Sequence, residues 1–251
     1  MTDQLFVYIV AQHPLTDEKV KSVFNDLVER HEHLVWPPAD YSPRVRAYEK
    51  QEGLPLGSLG PAIIYRDEIC FEWAIVSSIN PWQLDERIER QNTLWVRAES
   101  CTNKELIMYW QEMPDLIFSF VDIFCDLCSS LNATFAMVGH DVSLIDIGHP
   151  GQDDCTDSEY LKILETSGWS PTIETYFLDM VTVNDVTVDV LKQWAGIIKR
   201  VGTAGYFIDR NDLPIFGGWH PDEEVRTAQN RIFRRDILPR IQQRLIETGN
   251  D

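Results

Sequence analysis

The chain is short of positive charge: 22 Lys and Arg stand against 40 Asp and Glu, a net charge of −18 over 251 residues. Long-range repulsion of that size opposes binding to nucleic acid or to an anionic membrane. Cysteine is scarce too, five in all at irregular spacing. An odd count without a framework pattern argues against a secreted disulfide scaffold and fits reduced thiols packed as small apolar groups. Long hydrophobic runs are lacking. The opening "MTDQLFVYIVAQHPLTDEK" has Asp3 where an export signal carries positive charge, and its apolar run is broken by Gln12 and His13, too short to export or span. The expectation is a cytoplasmic protein. The nucleophile-elbow, dinucleotide-fingerprint and P-loop patterns are absent as well, which removes those routes to hydrolase, dehydrogenase or NTPase chemistry. No cofactor is expected.

What remains is an ordinary folded composition, 44% hydrophobic, in a chain long enough to bury a core. The run "LFVYIVA" at 5–11 has strand length. Behind a Thr16 cap and an acidic first turn, Val20, Phe24, Leu27 and Val28 then recur at helical spacing. From 36 to 60 the text is rich in Pro and Gly and reads as an extended surface excursion. "AIIYRDEICFEWAIVSS" gives two strands around Arg66, Asp67 and Glu68, and "TLWVRAESCTNKELIMYWQEM" repeats the pattern around Thr102, Asn103 and Lys104. Together they predict an antiparallel meander. "PDLIFSFVDIFCDLCSSLN" predicts a largely buried helix opening at Pro114, followed by a strand in "ATFAMVGH".

The second half alternates less cleanly. It reads as a short helix near "SEYLKILETS", a β-rich "TIETYFLDMVTVN", a helix over "VTVDVLKQWAGIIKR", a strand in "GTAGYFID" and a final helix over 222–247. The fold class is α+β, with mixed or antiparallel sheets packed against helices. One domain over 1–251 is expected, with sub-lobes 1–150 and 151–251 as the internal division.

Charge is concentrated in the middle of the chain. Residues 105–191 hold sixteen acids against Lys162 alone, which supplies −15 of the −18. Carboxylates gathered without counter-charges repel one another, and a cationic partner relieves that cost and is steered towards it. The expected partner-binding residues are Asp146, Asp153, Asp154, Asp157 and Glu159, with Trp169 as an aromatic anchor. A solvated acidic face is the plainer explanation.

Other constellations are weaker. His140, Asp141, Asp146, His149, Asp153, Asp154 and Cys155 are suitable metal ligands by type, but their spacing fits no zinc or calcium pattern. No metal is expected. Cys125 and Cys128 form a CxxC inside an apolar helix and read as core. "HEH" at 31–33 suits the negative end of a helix dipole. Asp209, Arg210, Asp212 and His220, near Gly217 and Gly218, read as turn and helix-entry residues before any catalytic role.

Taken whole, the chain resembles the immunity proteins of bacterial polymorphic toxin systems and is similar to the immunity protein 52 family. The likeness is carried by length, acidity and α+β order, by the opening "LFVYIVAQ" with its following helix, and by "GYFIDRNDLPIFGG" before a closing helix. It transfers no functional residue. It implies a protein of bacterial competition that is not an enzyme and that binds and neutralises a cognate toxin, a nuclease being the expected one. A metal-dependent hydrolase using the cluster from His140 to Asp154, or a regulatory binding module, is the alternative.

Overall fold

A computed structural model of the chain describes residues 4–36, 63–65, 69–76, 92–100, 114–140, 175–212 and 223–250. Strand β1 (Gln4–Ala11) alternates its side chains between two apolar layers. Leu5, Val7, Ile9 and Ala11 enter one buried cluster, while Tyr8 and Val10 enter another. Period-two alternation sends successive side chains to opposite faces. A strand apolar from Leu5 to Ala11 therefore needs a layer on each side.

The first layer comes from α1 (Asp17–Arg30) and α2 (Pro114–Ser130). Thr16 caps α1, its hydroxyl accepting from the Lys19 amide at 3.2 Å, and Val20, Val23, Phe24 and Leu27 face the sheet. Helix α2 buries Leu116, Phe120, Phe124, Leu127 and Cys128. Its exposed stripe includes Asp115, Phe118 and Asp122.

Among the described residues the sheet has nine strands: β1, β2 (Leu34–Val35), β3 (Ile63–Tyr65), β4 (Ile69–Val76), β5 (Thr93–Ser100), β6 (Ala133–His140), β7 (Thr175–Asp179), β8 (Ile197–Val201) and β9 (Gly205–Asp209). Their order is β2-β3-β4-β5-β1-β6-β7-β9-β8. Every pairing is antiparallel. Of the expected meander, β3, β4 and β5 are present as antiparallel neighbours, while its last strand, after Thr102, Asn103 and Lys104, lies outside the described residues. Strands on either side of Pro150 join edge to edge, since β6 pairs with β7. On the second face, the in-register Glu72 and Arg97 form a buried ion pair, with the guanidinium 5.9 Å from the Trp95 ring centre.

The second layer is built from α3 (Met180–Val186), α4 (Val188–Trp194), α5 (Glu223–Ile232), a π turn (Phe233–Ile237) and α6 (Leu238–Asn250). Here the structure corrects two sequence expectations. "MVTVN" is helical, not β, because the Asp179 carboxylate ends β7 and accepts from the Thr182 amide at 2.8 Å as an N-cap. That cap, with Val183 and Val186 buried beneath, outweighs the modest helix penalty of β-branched residues. "GIIKR" is strand, not helix: α4 stops at Trp194, and the Gly196 amide donates to the Arg210 carbonyl at 3.1 Å as β8 begins. A Cβ at Gly196 would come within 2.5 Å of the Asn211 backbone, so the crossing excludes a side chain.

The final helix widens at its middle. Pro239 has no amide to give to the carbonyl four residues back, and the Leu238 amide reaches the Phe233 carbonyl instead, five residues back. Phe233 stacks on Tyr176 at 5.2 Å and lies 5.4 Å from Trp194. Arg244 of α6 donates to Asp179 at 2.9 Å and ties the last helix to the cap of α3.

Two glycines of the β8–β9 hairpin make contrasting predictions. A Cβ at Gly205 would lie 2.1 Å from the Leu178 carbonyl oxygen, whereas Gly202, at φ +52°, has open space around it. Gly205→Ala should destabilise the fold by about 3 kcal/mol or more through backbone displacement. Gly202→Ala should cost only the conformational penalty, about 1 kcal/mol. Urea unfolding of the two variants checks the order; equal losses would contradict this hairpin geometry.

Candidate functional site

The antiparallel order assigns each connection to one end of the sheet. At one end β1, β4, β7 and β8 begin while β5, β6 and β9 finish, as the pairs Leu5–His140, Ile69–Ser100, Thr175–Asp209 and Ile197–Asp209 require. The segments attached there are 31–33, 66–68, 101–113, 141–174, 195–196 and 210–222, with a combined net charge of −11. Segments 12–16, 36–62, 77–92, 131–132 and 202–204, attached at the opposite end, total −1. The stretch 141–174 alone holds eight acids and one Lys, and it starts and finishes on the neighbouring strands β6 and β7.

A polar lock supports this acidic end. Asp209 is fully buried; one carboxylate oxygen accepts from the Thr175 hydroxyl, the other from the Asn211 amide at 2.9 Å. The Gln229 side-chain amide donates to the Trp194 carbonyl at 2.8 Å and to the Arg210 carbonyl at 3.2 Å, joining α5 to the ends of α4 and β9. Donors on both oxygens satisfy the buried carboxylate. Asp209 thus acts as the anchor of a turn, and Arg210, 2% exposed, is equally withdrawn from solvent. Asp212 is exposed, while Gly217, Gly218 and His220 lie outside the described residues.

The expected partner-binding residues Asp146, Asp153, Asp154, Asp157, Glu159 and Trp169 all lie outside the described residues. So do Asp141, His149 and Cys155 of the metal-type cluster, and of His140 only the backbone, the last residue of β6, is described. Among the described residues, no group of three or more His, Cys, Asp or Glu is placed to hold a metal ion. No described helix is long and apolar enough to cross a membrane.

Six acids of the 105–191 window are described, and four of them have counter-charges, contrary to the sequence picture of carboxylates facing Lys162 alone. Asp122 pairs with Lys199, Asp126 with Arg30 at 3.0 Å, Asp179 with Arg244 at 2.9 Å, and Asp189 with Lys192 at 3.9 Å. Lys199, Arg30, Arg244 and Lys192 lie beyond the window in sequence, so a linear count could not see them. His31, read from sequence as a helix-end residue, is the C-cap of α1, its amide donating to the Leu27 carbonyl at 2.9 Å, and it also contacts Asp126 through Nε2 at 3.0 Å. Its imidazole bridges α1 to α2.

The CxxC reading holds. Cys125 and Cys128 are buried and unbridged, 4% and 0% exposed. Burial pushes the Cys125 thiol up to about 12, with Asp122 and Asp126 adding to the rise against Lys199, and raises Cys128 well above the ordinary range. Thiolate is the reactive form, so neither group is poised as a nucleophile at neutral pH.

No known protein family matches the sequence, and no curated protein matches it. Among solved structures the chain is similar to the Pseudomonas aeruginosa T6SS protein PA0821, at 14% identity and a TM-score of 0.42, over 98% of this chain and 83% of that one. A likeness of that size assigns neither family nor activity.

Two measurements check this geometry. Asp209→Ala should destabilise the fold by about 2–4 kcal/mol, because the Thr175 and Asn211 donors lose a buried acceptor; a neutral result in chemical denaturation would remove the lock. Iodoacetamide at pH 8 should label Cys125 and Cys128 at least about tenfold more slowly in the folded chain than in urea, scored by peptide mass spectrometry. Rapid labelling of either in the folded protein would contradict their burial.

Proposed function

We propose that this protein is an immunity-type inhibitor, which captures a basic bacterial toxin at the acidic end of its sheet and blocks the toxin's active site or substrate path. The observation that carries the reading is where the connecting segments attach: those joined to one end of the sheet total −11, those joined to the other −1. Mean charge alone would spread over the whole exterior and select no direction of approach. A strong difference along one axis orients an incoming cation before contact and raises its association rate.

The pairing of acids elsewhere supports the same reading. Asp122, Asp126 and Asp179 serve the framework, fastening helices to one another or to strands. The 141–174 stretch carries a net charge of −7, with one Lys of its own. A nuclease lines its active site with cations for phosphate, so an acidic protein competes for the same groups. Exposed ion pairs contribute little each, so tight binding needs an apolar centre as well, for which Trp169 is the candidate.

The test uses the product of the neighbouring reading frame as the toxin. Complex formation is measured by surface-immobilised kinetics at rising salt, with two charge variants of the inhibitor. Neutralising Asp153, Asp154, Asp157 and Glu159 together to Asn and Gln should slow association about tenfold at low salt. Neutralising Asp85, Glu86 and Glu89, from a segment whose two ends attach to the opposite end of the sheet, should change it less than about twofold. Equal effects from both variants, or a complex indifferent to salt, would take the acidic end out of the account. A neighbouring product that does not bind at all would overturn the immunity reading itself.

A further inference from the structure

We draw no further inference here: the strongest candidate, the outer edge of β8 at the rim of the sheet, carries nothing, because Lys199 is already held by Asp122 and Arg200 by the Gly202 carbonyl, and nothing in the structure shows what covers it.

Discussion

Strand β1 has no face left for water, and the rest of the architecture answers that constraint. Leu5 and Ile9 are fully buried on one side, and Tyr8 and Val10 are 3% exposed on the other. Each large apolar side chain withdrawn from water contributes roughly 1.5–3 kcal/mol, so exposing either face would cost more than a domain's usual net stability. The sheet must therefore be sandwiched. Helices α1 and α2 close one face, and α3, α4, the π turn and α6 close the other. With both faces consumed by packing, polar chemistry is left to the sheet's ends, its edges and the outer helix surfaces.

That division explains how a chain of −18 stays folded. On the outer surfaces, some of the described carboxylates are paired: Asp126 with Arg30, Asp122 with Lys199. Such exposed pairs add little stability singly, but they offset local repulsion. Asp179 does more, capping α3 while accepting from Arg244. The acidic connections 66–68, 101–113, 141–174 and 210–222 all attach to strands at the same end of the sheet. A uniform acidic coat would serve solubility alone, whereas a one-ended distribution also gives an oppositely charged macromolecule a preferred approach.

Much of the fold was legible in the sequence. The strand at 5–11, the capped helix after it, strands β3 to β5 of the meander and the buried helix opening at Pro114 all follow from periodicity and end signals, because tertiary contacts there agree with local preference. The failures cluster at 180–201. Val181, Thr182 and Val183 favour strand by type, yet a single Asp179 cap commits them to helix; Gly196 looks like an ordinary helix interruption, yet its amide starts β8. The second outcome depends on a partner outside the local stretch, Arg210, whereas the first rests on a local cap whose second oxygen also accepts from Arg244. The acidic window was visible as a composition, but its division into paired and unpaired members was not, since Lys199, Arg30 and Arg244 lie beyond it. The end of the sheet to which each acidic connection attaches depends on strand order, which no local pattern encodes.

The central claim, that negative potential is concentrated at one end of the sheet, is open to direct measurement in the free protein. Amide NMR signals are recorded with a cationic nitroxide and, separately, with a neutral one of the same size. The ratio of the two broadenings reports local potential without any partner. The account predicts that Asn211 and Asp212, beside the acidic end, show a markedly larger ratio than Gln12, Thr203 and Ala204 at the opposite end. Equal ratios at the two ends would contradict it.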